Sequence, residues 1–392
     1  MKISFLTGTV EPGCDGVGDY TRQLALQCLS AGHACSVVAL NDVYVNKPVL
    51  EKLAALPIFR LGPALSWPQR VEAACRFLAK IKADWVSLQF VSYGFNRRGL
   101  VWDLGKRLQP LVADARRHIM YHELWIGGVK SPLRHRLTGA VQRWLIRRMH
   151  WQWSPSVVHT SNGTYVRRLR NVGINAAILP LFGAVPVGNK TADEWLFPIL
   201  QEGGIAINAA NRSQYWIFGF FGTLHSVWPP EPLFSKLREA AAQNDKKVVL
   251  ISAGRIGGGE ALWKQMAARY KTEFAFFRLG EMAPERVSEW LNSLDFGVAT
   301  TPLAIIGKSA SVAAMLEHGL PVIVNREDQP GTNPWEDGFP ELEEQLIRLT
   351  PDFPNRLRTA KREIGISRLP KVAEQFQRDL RYFGAQAVAQ TA

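Results

Sequence analysis

Short apolar runs, glycine-bearing turns and helix-length amphipathic segments follow one another in rotation along this chain, and that rotation leaves few folds open. Ile3-Ser4-Phe5-Leu6 reads as a strand, Gly13 to Gly18 as a loop, and Leu24, Leu26 and Leu29 as apolar positions of a helix. Gly32-His33 stops that helix, and Ser36-Val37-Val38-Ala39-Leu40 returns as a second strand. Strand, helix and strand in that order open a parallel sheet, because the crossover helix packs back on the sheet it leaves. The rotation continues through a helix over about 68–82, the strand Trp85-Val86-Ser87-Leu88, a helix over about 98–113 and the strand Ile119-Met120-Tyr121. Val157-Val158-His159-Thr160 and Ala177-Ile178-Leu179 are further strand candidates.

After Val187 the pattern breaks, and a second series starts at Trp216-Ile217-Phe218-Gly219-Phe220-Phe221-Gly222. Strands at 248–251, 274–276, 296–299 and 321–324 alternate with helices near 231–242, 260–270, 284–293 and 309–318. The expectation is an α/β chain of two Rossmann-like domains facing across a cleft, since ligands of such sheets sit beyond the carboxyl ends of the strands. The divisions expected are a first domain over 1–187, a linker or irregular excursion over 188–214, a second domain over 215–355, and C-terminal helices over 356–392 crossing back to the first domain. A length of 392 residues suits two domains, because single cores stop growing near about 250 to 300 residues.

The 47 lysines and arginines against 34 acidic residues give a net charge of +13, which favours anionic partners: nucleotides, phosphorylated lipids, membrane surfaces or nucleic acid. No RRM, KH or zinc pattern supports nucleic acid, so none is expected. The start runs from Met1-Lys2 into Gly8 without a secretory pattern, and no run of about 18 apolar residues occurs, so a cytoplasmic protein is expected. Cys14, Cys28, Cys35 and Cys75 show no CxxC or matching CxxH spacing and make neither a zinc site nor a disulfide scaffold.

The most informative stretch is Thr300 to Ser309, directly after a strand and directly before a helix. Gly307-Lys308-Ser309 ends like a phosphate loop, yet a Walker A loop would need glycine where Pro302 stands. Amides at a helix start, a glycine, a lysine and the hydroxyls of Ser309 and Ser311 still suit a diphosphate. The plain alternative makes Ser309 an N-cap and Lys308 a solvated loop charge. Glu317, about 12 Å further along the helix, reads as a surface charge near its end.

GVGDYTRQLALQCLSAGH from Gly16, HELW from His122, SNGTYVRRL from Ser161, FGFFGTL from Phe218, LGEMAPERVSEWLNSLDFGVATTP from Leu279 and AAMLEHGLPVIV from Ala313 occur in one order. That ordered set resembles the GT-B glycosyltransferases, and within them the family 4 retaining enzymes. The resemblance implies a nucleotide-sugar donor held mainly by the second domain, an acceptor held mainly by the first, and no cofactor beyond the donor itself, expected to be UDP-linked. Its diphosphate would meet Gly307, Lys308, Ser309 and Ser311, and its base the Leu279-Gly280-Glu281 loop. The Gly16-Val17-Gly18-Asp19-Tyr20 loop would approach the donor phosphate and the acceptor, with Gly16, Asp19 and Tyr20 toward the acceptor and Gly18 toward the phosphate. Asp19 would orient an acceptor hydroxyl or, alternatively, cap the helix starting near Tyr20. His122, with Glu123 beside it, falls where the family sets a histidine against the donor sugar. His159, His225 and His318 read as structural.

Two departures stand out. Family members carry an arginine and a lysine after the first strand of the second domain, where this chain has Gly222-Thr223-Leu224-His225; Arg255 would replace that charge or be an ordinary exposed arginine. The family's two glutamates, eight apart, fall on Ile306 and Ala314, which accept no hydrogen bond from a hydroxyl. No Asp-x-Asp pair occurs, so no metal is expected on the diphosphate.

Between Lys130 and Trp153 the chain is basic and aromatic, with Arg136, Arg143 and Arg147 on one stripe and Leu137, Val141, Trp144 and Leu145 roughly to one side. Such a helix either rests on an anionic membrane, at the inner face, or docks on its own domain. The expected activity is transfer of a hexose from a nucleoside diphosphate sugar to a saccharide or lipid-linked acceptor, with retention, in polysaccharide or glycolipid synthesis. A nucleotide-sugar epimerase and a catalytically silent nucleotide-sugar-binding protein are the rivals.

Overall fold

Strands buried on both faces show no alternation of buried and exposed residues, and the central strands here have none: every residue of Trp85–Phe90 is buried, as are five of six in Lys2–Thr7 and Ala34–Ala39. The computed structural model describes residues 1–112, 115–127, 132–327 and 344–391, with side chains as far as 382; Lys130 lies outside the described residues. The chain divides into two units, Met1–Pro180 with Leu369–Ala392, and Leu181–Arg368.

The first unit runs β1 (Lys2–Thr7), α1 (Gly16–Ser30), β2 (Ala34–Ala39), β3 (Val49–Leu53), β4 (Leu56–Arg60), α2 (Trp67–Ile81), β5 (Trp85–Phe90), α3 (Ser92–Phe95), α4 (Leu104–Leu108), β6 (Arg116–Tyr121), α5 (Leu133–Trp153), β7 (Val157–Thr160), α6 (Gly163–Arg170) and β8 (Ala177–Ile178). Its sheet has the order β3-β4-β2-β1-β5-β6-β7-β8, parallel except for β3 on β4. The C-terminal helix, Leu369–Thr391, belongs to this unit. Its Phe376 ring lies 5.9 Å from Phe5 and 5.1 Å from His118, and Gln375 donates to Ile178 O at 2.7 Å. That helix covers the sheet at its middle.

The second unit runs α7 (Asp193–Glu202), β9 (Tyr215–Phe221), α8 (Leu233–Gln243), β10 (Lys247–Ala253), α9 (Glu260–Arg269), β11 (Phe274–Gly280), α10 (Pro284–Ser293), β12 (Phe296–Ala299), α11 (Ala310–Glu317), β13 (Val322–Val324), β14 (Leu346–Arg348) and α12 (Phe353–Thr359). The all-parallel order β11-β10-β9-β12-β13-β14 is the dinucleotide-binding arrangement, with its switch point between β9 and β12. Strand side chains sort by parity into two cores: Ile217, Val249, Ile251 and Val322 enter one, Phe218, Leu250, Val298 and Ile323 the other.

Two sequence expectations need correction. The helix expected over 98–113 shrinks to α4 and a 3-10 turn at Gln109–Leu111, because Asp103 takes a left-handed conformation with φ 53° and Pro110 lacks a donor. Within 188–214, read as a linker or excursion, α7 buries Leu196, Phe197 and Leu200 in the second unit's core.

Candidate functional site

The carboxyl ends of β9, β10, β11 and β12 meet the start of α11. The segment between β12 and α11 holds 3-10 turns over Leu303–Lys308, broken by a kink at Ile305, whose backbone is not helical. Ser309 then caps the helix, its hydroxyl accepting from the Val312 amide at 3.4 Å and lying 3.1 Å from the Ser311 hydroxyl. The amides of Ala310 and Ser311 have no intrahelical acceptor, so the helix start presents donors and the positive end of its dipole beside Lys308. Gly307, Lys308, Ser309 and Ser311 are all half-buried.

Glycine lines the floor of this crevice. Gly222 (φ +75°) and Gly254 (φ +83°) adopt left-handed backbone; a Cβ on Gly222 would lie 3.8 Å from Ser311 Cβ, and one on Gly254 3.5 Å from Gly222 Cα. The Gly254 amide donates to Gly280 O at 2.6 Å, and the Thr300 hydroxyl to Thr223 O at 2.9 Å. The expected residues Arg255, Gly280, Glu281, Gly307, Lys308, Ser309 and Ser311 therefore gather, with Gly222 and Gly254, at the carboxyl ends of one sheet. Arg255 donates from Nε to Glu281 Oε2 at 2.8 Å, tying the arginine expected on the diphosphate to the loop expected on the base. Both side chains are half-exposed, so their pairing contributes at most about 1 kcal/mol. Leu279 packs at the margin of the core.

Ile306 and Ala314 are buried in that core, which fits the absence of hydroxyl-binding glutamates there. Glu317 is not the surface charge expected from its place at the helix end. It is 2% exposed and accepts the Gly183 amide at 2.9 Å, and burial raises its carboxyl to about 7.

In the first unit the helix at the switch point is capped differently. α1 begins at Gly16, not near Tyr20, and its N-cap is Asp15, whose carboxylate accepts from the Val17 and Gly18 amides at 3.2 and 3.3 Å. Asp19 sits in the first turn rather than at the cap; its carboxylate accepts the Gly13 amide at 3.1 Å and faces Arg22 at 3.9 Å. Burial raises both carboxyls. Gly18 thus has its amide engaged by a carboxylate instead of being offered to a phosphate. Neither Gly16 nor Gly18 has a positive φ. Gly18 is needed for space: a Cβ there would lie 2.6 Å from Thr9 O. Gly16 faces open space.

The rings of Tyr20 and His122 meet, with centroids 4.8 Å apart at 76°. The His122 amide donates to Phe90 O at 3.0 Å, which fixes the residue just past β6, and Glu123 next to it is half-buried. His122 is 6% exposed, and burial lowers its imidazole to about 3, so it is neutral at ordinary pH. Its Nε2 lies 2.9 Å from Gln89 Oε1. Gln89, Ser87, His118 and Asp379 escaped the sequence reading; the available signal was two polar residues, two apart, in the otherwise apolar run of β5. His159 and His318 are buried and hydrogen-bonded, and His225 is exposed.

No group of His, Cys, Asp and Glu able to hold a metal occurs among the described residues. No family model matches the chain, and no curated protein matches it by sequence. Solved structures do. Anabaena Alr3699/HepE in complex with UDP-glucose is 16% identical with a TM-score of 0.57, over 99% of this chain and 100% of that one. The lipopolysaccharide outer core galactosyltransferase WaaB is 13% identical with a TM-score of 0.54, over 99% and 100%. A putative UDP-N-acetylglucosamine 2-epimerase from Listeria monocytogenes is 12% identical with a TM-score of 0.52, over 98% and 97%. The chain has the GT-B fold, two Rossmann-like units whose sheets match those of these neighbours.

Proposed function

We propose that this chain is a glycosyltransferase that moves a hexose from a nucleoside diphosphate sugar, UDP-linked in the first instance, to a saccharide or lipid-linked acceptor, with retention at the anomeric carbon. The observation that carries the reading is the start of α11: a neutral cap, two helix amides without intrahelical acceptors, and Lys308, on a glycine-floored switch point. As the bond between the anomeric carbon and the diphosphate oxygen breaks, negative charge grows on the leaving group. Donors fixed in place before that charge appears stabilise it at no reorganisation cost. Neutral His122 meets the sugar, Glu123 flanks it, and Leu279, Gly280 and Glu281 meet the base. The likeness to HepE, solved with UDP-glucose, favours this donor class. No cofactor or metal is assigned a step.

The acceptor is assigned to the first unit, with Gly16, Asp19 and Tyr20 nearest it. On α5, Gln142, Leu145, Ile146 and Met149 are buried, whereas Leu133, Leu137, Val141, Trp144 and Trp151 are exposed amid Arg136, Arg143 and Arg147. Leu145 therefore lies apart from the three residues it was grouped with. An exposed apolar stripe among arginines suits peripheral contact with an anionic membrane, where lipid-linked acceptors collect. No helix among the described residues is long and apolar enough to cross a membrane.

The test is a thermal-shift panel of UDP-, GDP-, ADP- and dTDP-sugars followed by product analysis. A ligand at about 100 times its Kd adds about 2.7 kcal/mol to folding stability. A UDP-sugar should give the largest rise, and sugar should reach an acceptor. The Listeria neighbour makes an epimerase the second reading, and epimer formed without any acceptor would establish it. Binding with neither outcome would mark a silent binding protein.

A further inference from the structure

A continuous line of hydrogen bonds runs behind His122 through the first unit. His122 Nε2 is 2.9 Å from Gln89 Oε1, and Gln89 Nε2 donates to Ser87 Oγ at 2.7 Å. Ser87 Oγ is 2.7 Å from His118 Nδ1, His118 Nε2 is 3.0 Å from His159 Nδ1, and His159 Nε2 is 3.1 Å from Asp379 Oδ2. Five contacts join three strands, β5, β6 and β7, to the C-terminal helix. Gln89, Ser87 and His118 are completely buried and His159 is 1% exposed. At the two ends His122 is 6% exposed and the Asp379 side chain 24%.

The charged end decides which way every proton points. A carboxylate only accepts, so His159 carries its proton on Nε2, and in the neutral ring Nδ1 becomes an acceptor. His118 must then donate from Nε2 and accept at Nδ1. Ser87 donates its hydroxyl proton to that nitrogen and accepts the Gln89 amide. Gln89 is left with Oε1 toward His122, which donates from Nε2. Every link points toward Asp379, and links aligned in this way polarise one another. Burial holds the His118 ring neutral, which a relay with one proton per ring requires.

We propose that Asp379 is a positioning residue which, through His159, His118, Ser87 and Gln89, fixes His122 as the Nε2–H tautomer and presents its Nδ1 lone pair as a hydrogen-bond acceptor for a hydroxyl of the donor sugar. The sugar contact rests on the transferase reading above; the tautomer does not. The relay also explains two features that packing leaves unexplained: polar residues at alternate positions of the most buried strand, and an acidic residue of the last helix set against a buried ring.

The test is long-range proton–nitrogen NMR of histidine-labelled full-length protein at pH 8, where an ordinary imidazole is neutral. Wild-type protein should show His122, His118 and His159 each protonated on Nε2. Asp379→Asn replaces an obligate acceptor by a group that also donates, so His118 and His122 should become mixtures of both tautomers, while Asp379→Glu keeps the wild-type pattern. Nδ1–H on His122 of the wild type would overturn the proposal, as would an unchanged His122 tautomer in Asp379→Asn. If Asp379→Asn fails to fold, Ser87→Ala interrupts the same line with a smaller change and should free His122 in the same way; a fixed His122 there counts against the relay. In the transfer assay Asp379→Asn should lower kcat/KM roughly ten-fold, one hydrogen bond's worth, with UDP affinity unchanged. Absence of any transfer would sink the function while leaving the tautomer result standing, and transfer with the wrong tautomer would do the reverse.

Discussion

α1 and α11 both start beside the point where a sheet's strand order reverses, α1 after the first strand of its sheet and α11 after the fourth of its own, and they are capped by opposite chemistry. α1 is closed by Asp15, with Asp19 in its first turn, so its positive end already holds carboxylates of the chain itself. α11 is capped by the neutral Ser309, preceded by Lys308, and leaves two amides to a ligand. An anion would be repelled at the first helix and attracted at the second. On the proposed reading the diphosphate goes to the second helix start, while at the first the chain's own carboxylates already occupy the cap, with neutral His122 beside Tyr20.

The contrast can be broken by mutation. Lys308→Ala should slow turnover roughly ten- to a hundred-fold, since a charge-assisted contact contributes about 1.5 to 3 kcal/mol, and an unchanged rate in steady-state assays would remove Lys308 from the site. Glu317 tests the far end of α11. Its carboxyl, raised to about 7 against 4.5 unfolded, stabilises the fold fully below pH 4.5 and loses that contribution as pH rises through 7. Urea unfolding at pH 5 and 7.5 should therefore show wild type losing roughly 2 to 3 kcal/mol relative to Glu317→Gln; parallel stabilities would mean that Glu317 ionises normally. Asp15→Ala should cost about 1 kcal/mol of stability through the lost cap while leaving UDP affinity unaltered by calorimetry. Weaker binding there would move the nucleotide to the wrong helix. The smallest expected effect is none: transfer should persist in EDTA, and loss restored by Mn²⁺ would overturn the metal-free account.

The sheets were largely legible because buried parallel strands are written as apolar runs, such as Val248 to Ile251 or Val322 to Val324. The edge strand β3, Val49-Leu50-Glu51-Lys52-Leu53, was not, since a mostly exposed strand carries charge and no such run. α7 was hidden by Pro198 inside it and Gly203-Gly204 behind it. At the site, spacing along the chain brought out Gly307 to Ser311 because strand, loop and helix are contiguous there. It could not bring out Glu317's partner, 134 residues away, or that of His159, 220 residues away. The cap of α1 was not legible for a related reason: an aspartate stands at both 15 and 19, and only the helical backbone from Gly16 onward makes Asp15 the cap.

The central claim is that the diphosphate belongs to the second unit. A crystal of the full chain soaked with UDP tests it most directly: the account predicts phosphate oxygens within hydrogen-bond reach of the Ala310 and Ser311 amides and of Lys308. Phosphate bound instead at the start of α1, with Asp15 displaced from its cap, would contradict it.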